Sequence, residues 1–178
     1  DKWILNGTKI FITNSATPMT LGSTVQVVSG EKDGKPEFTT FLIENDTPGF
    51  TQEPMNRKMM WRASNTGRLT INNVELTNDN MLGAPGQGSH IMLATLDGGR
   101  LSIAAMALGC AQGAYEMALA YSKEREQFGK QICKFQAVSF KLADMAMKIE
   151  AARCLLYKAC RIKDAGMPFG KEAAMAKL

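Results

Sequence analysis

The side chains that most readily act as nucleophiles, bases or metal ligands are scarce in this sequence of 178 residues, which has one histidine and four cysteines. A Ser-His-Asp triad would need His90, but this residue stands where a turn gives way to a helix, as is typical of a solvated helix end. The cysteines, Cys110, Cys133, Cys154 and Cys160, form no Cys-x-x-Cys pair and lack the ligand spacing of a zinc site. We therefore expect no metal site and predict buried free thiols in a reducing compartment.

Three glycine-containing segments fail the spacing of known phosphate-binding loops. Gly86 and Gly88 lack the third glycine of the dinucleotide fingerprint, because Ile91 occupies that place and no strand of a βαβ unit precedes them. Segments 30–35 and 166–171 each contain a glycine and a lysine, but not at P-loop spacing. No acidic pair identifies a two-carboxylate hydrolase site. These glycines are predicted to form turns.

Composition and charge exclude several classes of protein. The chain is 45% hydrophobic and 21% charged, which is typical of a globular protein and not of a disordered one. Residues 1–90 carry a net charge of −1 and residues 91–178 carry +5. The basic residues are not interleaved with aromatic ones, so we expect no nucleic-acid partner, although a basic half attracts phosphate-bearing ligands. The longest weakly polar stretch, Leu101–Ala114, is shorter than the ~20 residues of a membrane span, so none is expected.

The first half of the sequence predicts antiparallel β structure. Asn6-Gly7 separates two short apolar segments, which is the strongest local signal for a hairpin turn. A charged turn is expected over residues 31–36. Further strands are predicted over 24–29, 38–44 and 69–74. Short strands separated by turns favour a β-sandwich or barrel.

The hydrophobic period becomes helical after the turn cluster at 83–88. One stripe is Ile103, Ala107, Cys110, Ala114, Met117 and Tyr121, and a second is Val138, Leu142, Met145, Ile149, Ala152 and Leu156. Gly166 and Pro168 end the second helix, and a third begins near Phe169. We therefore predict an α+β, multi-domain chain. A β-sandwich or barrel domain (residues 1–82) precedes an up-down helical bundle (83–178), and both domains are truncated.

Five segments give a more specific indication: Ile10–Ser15, Leu96–Arg100, Tyr121–Lys130, Phe135-Gln136 and Lys141–Ala146. The most specific pattern is Arg125-x-x-Phe128-Gly129 with Gln136 downstream. The order and spacing of these segments resemble those of the acyl-CoA dehydrogenases, with short- and branched-chain members nearest.

The resemblance implies an N-terminal helical domain, a middle β domain and a C-terminal four-helix domain, of which this chain holds parts of the last two. It also implies α,β-dehydrogenation of a short- or branched-chain acyl-CoA, in which a glutamate takes the α-proton and the β-hydrogen leaves as hydride to N5 of FAD. Electrons would pass to an electron-transfer flavoprotein. The implied assembly is a homo-oligomer, a dimer of dimers, in a bacterial cytoplasm or a mitochondrial matrix.

The family's cofactor and substrate positions fall on named residues of the β segment and the first helix. Phe11, Ile12 and Thr13 match the strand along the isoalloxazine ring, with the Thr13 hydroxyl near flavin N5. Asp97 and Arg100 match substrate-side positions, with Arg100 near the bound acyl-CoA. Alternatively, Thr13 is only a β-former, and Asp97 and Arg100 form a surface ion pair of little energetic value.

The second group of matches lies around the first helix's end. Arg125 matches the residue that pairs with the FAD pyrophosphate of a neighbouring subunit, because a planar guanidinium holds phosphate oxygens bidentately. Phe128 matches a position near the adenine, and Gln136 another contact with the flavin nucleotide. Alternatively, Arg125 pairs with a nearby acid and Phe128 only anchors a helix end.

No residue of this chain is assigned as the catalytic base. Most family members carry the glutamate later in the C-terminal domain, and a minority place it just before the matching arginine, where this chain has Gly99. A polypeptide of these residues alone is therefore expected not to dehydrogenate acyl-CoA. Two alternatives remain open: a flavin oxidase or monooxygenase of the same fold, and a non-catalytic assembly module.

Overall fold

A computed structural model of the protein describes residues 2–178, which divide into two compact units, the first ending at Leu93 and the second spanning Ala94–Leu178. The first unit contains six antiparallel strands in two three-stranded sheets, ordered β1-β5-β4 and β2-β3-β6. The strands are β1 (Lys2–Thr13), β2 (Gly22–Lys32), β3 (Lys35–Glu44), β4 (Phe50–Pro54), β5 (Thr66–Thr77) and β6 (Met81–Leu82). The antiparallel β prediction is thus confirmed, and the described strands close no barrel.

Apolar side chains from β1–β5 form the core of this unit. Phe41, Ile43 and Val74 are fully buried there, and Trp3 packs on Phe41 with ring centroids 5.3 Å apart. The turn at Asp33-Gly34 joins β2 to β3 with φ positive at both residues, as a type I′ hairpin requires. The turn predicted over 31–36 is confirmed.

The hairpin predicted at Asn6-Gly7 is wrong, because β1 runs straight through these residues and pairs with β5. Of the two, only Gly7 has positive φ, whereas a type I′ turn needs it at both. The Asn6 side chain instead bonds across the ladder: its Oδ1 accepts from the Asn73 N–H at 2.9 Å, and its Nδ2 donates to Asn73 Oδ1 at 3.0 Å. The Asn-Gly pair marks a register shift in a strand and not a chain reversal.

Three helices build most of the second unit: α1 (Gly88–Glu124), which begins in the first unit, α2 (Gln136–Asp164) and α3 (Gly170–Lys177). Between α1 and α2 lies a small hairpin, β7 (Glu126–Gln127) and β8 (Lys130–Gln131). The start of α1 is held against β3, because an added Cβ at Gly88 would lie 2.8 Å from the Phe38 carbonyl. The change to helical structure after residue 88 is confirmed.

The predicted stripe on α2 is confirmed in part by burial, whereas the one on α1 is not. Leu142, Ile149 and Leu156 on α2 are buried. On α1, Leu101 and Ala104 pack against α2 and α3. Residues of the predicted α1 stripe are exposed within the described chain, including Ile103, Met117 and Tyr121.

The end of α2 follows the predicted glycine stop. Gly166 has a φ of 69°, its N–H donates to the Lys163 carbonyl at 2.9 Å, and the Met167 N–H donates to the Ile162 carbonyl at 3.1 Å. This pair of bonds is a Schellman motif, in which glycine takes the left-handed position without steric cost. The chain is thereby directed into α3.

Two expectations need correction. The four cysteines are free, as predicted, but Cys110 and Cys154 are exposed and not buried. The weakly polar stretch Leu101–Ala114 lies within a much longer helix: α1 has 37 residues and is, by length and composition alone, apolar enough to cross a membrane. A core helix of a water-soluble domain meets the same criteria, so these properties do not assign α1 to a bilayer.

Candidate functional site

A β-bulge lies at Phe11, in the strand where the flavin-facing residues were predicted. The ladder between β1 and β5 pairs Lys9 with Leu69 and then Ile12 with Gly67, so that Ile10 and Phe11 together stand opposite a single residue. An extra residue of this kind bends the strand and redirects its side chains.

The backbone at Phe11 has a φ of 60°, which is a left-handed conformation. An L-residue in this region costs about 1–2 kcal/mol, and bulky side chains adopt it rarely. Such conformations persist where the surrounding structure enforces them, and they cluster at functional sites. The bulge therefore marks a position at which side-chain direction matters.

The side chains around the bulge divide between the core and solvent. Ile12 is half-buried and packs against the β core, whereas Phe11 is 66% exposed. Thr13 is also exposed, pairs with Thr66 in the ladder, and its hydroxyl has no hydrogen-bond partner within residues 2–178. An outward aromatic ring next to an available hydroxyl suits one face of a flat, polar-edged ring system.

The second candidate group lies near the start of α1. The Asp97 carboxylate pairs with the Arg100 guanidinium, and both side chains are about one-third exposed. An added Cβ at Gly170, the first residue of α3, would lie 2.9 Å from Asp97 Oδ2. The carboxylate therefore sits at the positive end of the α3 dipole as well as beside Arg100. Asp97 thus fixes the guanidinium while leaving other Arg100 N–H donors available.

The third group is held by the β7–β8 hairpin. Its turn residues Phe128 and Gly129 have φ values of 53° and 74°. Positive φ at both central residues is what a type I′ turn requires. The turn leaves Phe128 90% exposed. Its ring meets Phe135 edge-to-face with centroids 6.3 Å apart.

Cationic and main-chain donors surround this aromatic pair. Lys130 Nζ lies 4.4 Å from the centre of the Phe135 ring. Gln136 is exposed at the first residue of α2, and the N-cap, Phe135, provides no side-chain hydrogen bond to the open N–H groups. Arg125 forms no ion pair within residues 2–178, so the alternative of a pairing with a neighbouring acid is not seen there. These groups suit a phosphate and an aromatic base.

The structure therefore assembles Arg125, Phe128 and Gln136 in one corner, and Asp97 and Arg100 in another. The stretch of α1 from Arg100 to its last residue spans about 36 Å at about 1.5 Å per residue. The sequence alone assigns no role to Phe135 or Lys130, and the only local signal for this hairpin is Gly129, whose positive φ the turn uses. No group of three potential metal ligands converges within residues 2–178.

Comparison with known proteins identifies the family. Residues 1–74 match the model of the acyl-CoA dehydrogenase middle domain, and residues 86–178 match that of the C-terminal domain. The chain belongs to the acyl-CoA dehydrogenase family. Members of this family are flavoproteins, generally FAD-dependent.

Individual acyl-CoA dehydrogenases align over nearly the whole chain. A short-chain-specific acyl-CoA dehydrogenase of Megasphaera elsdenii is 47% identical over 98% of this chain and 45% of its own length. The structure of butyryl-CoA dehydrogenase from the same organism superposes with a TM-score of 0.91 at 46% identity, covering 98% of this chain and 45% of that one. A prolyl acyl carrier protein oxidase gives a TM-score of 0.90 at 34% identity, covering 99% and 46%. The chain thus spans less than half the length of these relatives.

The chemistry of the residues predicted to bind the flavin nucleotide fits FAD. The exposed rings of Phe11 and Phe128 offer apolar faces to flat ring systems, and Arg125 offers an unpaired guanidinium to phosphate. The slot before Arg100 holds Gly99, which has no carboxylate, and an added Cβ there would have nothing within 4 Å.

Replacement of Phe11 by glycine tests whether the bulge is strained. Phe11→Gly removes a mostly exposed ring and relieves the left-handed conformation, so the cofactor-free protein is expected to keep its free energy of unfolding or gain about 1 kcal/mol. Ile10→Gly is the matched control in the same bulge, without positive φ, and should lose about 1 kcal/mol. Chemical denaturation measures both. An equal loss in the two variants would contradict a strained Phe11.

Two glycine variants test the contact between Asp97 and α3. Gly99→Ala meets open space within a helix and should raise the free energy of unfolding by about 1 kcal/mol. Gly170→Ala places a methyl group against the Asp97 carboxylate and should give no such gain. Thermal unfolding of the two variants compares them directly. Equal stabilisation would show that Asp97 does not approach α3.

Proposed function

We propose that the protein containing this chain is an FAD-dependent acyl-CoA dehydrogenase that oxidises a short- or branched-chain acyl-CoA. The observation that carries the proposal is the exposed, left-handed Phe11 in the strand that matches the family's flavin-facing segment. The similarity to a short-chain-specific relative along 98% of the chain supports the substrate class. FAD, when bound, accepts the hydride lost from the β carbon of the acyl group.

In this proposal the β unit provides one wall of the flavin pocket. The Phe11 ring covers the flavin face and excludes water, and Ile12 anchors the strand to the core. The Thr13 hydroxyl donates a hydrogen bond to the flavin ring near N5, where electron density grows during reaction. The exposure of Phe11 and the unpartnered hydroxyl of Thr13 support these roles.

In the helical unit, Arg100 lies near the bound acyl-CoA, and Asp97 orients the guanidinium through their ion pair. Arg125 holds the FAD pyrophosphate bidentately, Phe128 contacts the adenine and Gln136 donates to the nucleotide. The ~36 Å of helix between the two arginine sites supports the assignment of Arg125 to a second subunit's FAD. We therefore infer a homo-oligomer, arranged as a dimer of dimers.

The glutamate base is proposed to lie in a further part of the protein, because Gly99 leaves the alternative slot without a carboxylate.

We propose that the boundary between the two domains lies between residues 82 and 83. The match to the middle-domain model ends at residue 74 and the match to the C-terminal model begins at residue 86, so the proposed boundary falls between them. A reducing compartment, either a bacterial cytoplasm or a mitochondrial matrix, is supported by the free thiols.

Electron-transfer flavoprotein is the proposed acceptor, which makes the enzyme a dehydrogenase. A second candidate is an oxidase, in which oxygen takes the electrons, and it is favoured by the structural similarity to a prolyl acyl carrier protein oxidase. The greater identity to the short-chain dehydrogenase leads us to prefer the first.

The intact protein, purified with its bound cofactor, tests both candidates. Anaerobic addition of butyryl-CoA should bleach the visible flavin band, and reoxidation by air should be slow compared with reoxidation by an electron-transfer flavoprotein. Rapid oxygen consumption coupled to turnover would favour the oxidase. A colourless protein that stays monomeric at high concentration would contradict the proposal and favour a non-catalytic module.

Substitution of Arg125 tests its contact with the pyrophosphate. Loss of a charge-assisted bidentate pair costs about 1.5–3 kcal/mol, so Arg125→Ala should weaken FAD binding by about tenfold or more. Arg161→Ala, which removes an exposed arginine of α2, is the control and should leave binding unchanged. FAD titration of the apoprotein followed by flavin fluorescence gives both constants. Equal FAD affinities in the two variants would show that Arg125 does not contact the cofactor.

A further inference from the structure

The chain that leaves β1 is tied to the residues just before β5 by one asparagine. Asn65 Oδ1 accepts from the Ala16 N–H at 3.1 Å, and its Nδ2 donates to the Ala16 carbonyl at 3.0 Å. Its own carbonyl accepts from the Asn14 N–H at 3.0 Å. Three hydrogen bonds from a single residue therefore hold the turn that follows Thr13.

The Ser15 side chain and the Gly67 backbone also hold the turn after Thr13 close to β5. Ser15 is buried, and its hydroxyl donates to the Ile12 carbonyl at 2.9 Å. It lies directly over Gly67, where an added Cβ would collide with the Ser15 hydroxyl and lie 3.1 Å from Ala16 Cβ. Since Gly67 is also the ladder partner of Ile12, the turn and the bulge are fixed against the same point of β5.

Lys58 holds the two residues that flank Asn65 in the chain. Lys58 Nζ donates to Thr66 Oγ1 at 2.7 Å and also to the Ser64 carbonyl. The residues on both sides of Asn65 are thus restrained by one ammonium group, which limits the directions that the amide can take.

The strained conformation at Phe11 needs such restraints, because a left-handed residue in a strand relaxes unless both of its ends are fixed. The ladder pair between Lys9 and Leu69 fixes the N-terminal end. On the C-terminal side only two ladder pairs, Ile12–Gly67 and Thr13–Thr66, follow the bulge, and the hydrogen bonds of Asn65 hold the chain beyond them.

We propose that Asn65 is a positioning residue that maintains the Phe11 bulge and, through it, the placement of the Thr13 hydroxyl at the flavin. This inference rests on the proposed flavin function. Asn65 acts only through the strand and the turn after it, and it needs no contact with cofactor or substrate.

The matched control is Asn6, which forms a similar side-chain bridge at the other end of the same two strands. Asn6 bonds to Asn73 through one main-chain and one side-chain contact, and it lies on the far side of the Lys9–Leu69 pair from the bulge. Asn6→Ala and Asn65→Ala each remove a bridge between β1 and the β5 segment. Only the second loosens the turn that supports the two ladder pairs on the C-terminal side of the bulge.

The experiment compares the two variants in the intact protein by two readouts. Hydrogen exchange of the cofactor-free protein should become about tenfold faster over residues 10–16 in Asn65→Ala and stay unchanged there in Asn6→Ala. In the FAD-loaded protein, the rate of flavin reduction by butyryl-CoA should fall about tenfold in Asn65→Ala, with a shifted flavin absorbance spectrum and a KM within about twofold of the wild type.

The outcomes distinguish a failure of the Asn65 positioning role from a failure of the proposed flavin function. If the wild type is reduced by butyryl-CoA and Asn65→Ala matches Asn6→Ala in exchange, spectrum and reduction rate, the positioning role is overturned and the proposed function stands. If the wild type binds no FAD, both are overturned. Faster exchange over residues 10–16 together with a slower flavin reduction in Asn65→Ala alone supports the positioning role.

Discussion

At Phe11 the backbone adopts a φ of 60° inside an otherwise extended strand, and this conformation determines which side chains of β1 face outward. The bulge inserts one residue, so that Phe11 is exposed while Ile12 still reaches the core. A regular strand alternates its side chains, so without the extra residue it could not expose both Ile10 and Phe11 and still turn Ile12 to the core. The ladder pairs at Lys9 and Ile12 hold the two ends of this bend, and the hydrogen bonds of Asn65 hold the turn that follows it.

The helical unit imposes a different constraint, which is distance along a rigid element. Arg100 and the end of α1 lie about 36 Å apart along one helix, so one small ligand could not contact both cationic corners. In the first corner Asp97 pairs with Arg100 and lies against the start of α3, and in the second the turn at Phe128-Gly129 places an aromatic ring beside Phe135. The basic charge of residues 91–178 includes both arginines, in keeping with phosphate-bearing ligands.

Local sequence patterns were sufficient where short-range physics decides the structure. The Asp33-Gly34 turn, the buried stripe of α2 and the glycine stop at Gly166 follow from φ preferences and helical period. The hairpin expected at Asn6-Gly7 failed because pairing with β5, far along the chain, keeps β1 extended. The α1 stripe identified residues on a shared face, but a period does not say what covers that face. No local pattern marks Phe11 as left-handed, and the resemblance to the family supplied the site residues without that geometry.

A crystal structure of the intact protein with FAD bound tests the central claim most directly. The account predicts that Phe11 retains a positive φ and that its ring contacts the isoalloxazine within about 4 Å, with Asn65 still bonded to Ala16. A Phe11 with ordinary extended backbone, or a flavin bound away from β1, would contradict it.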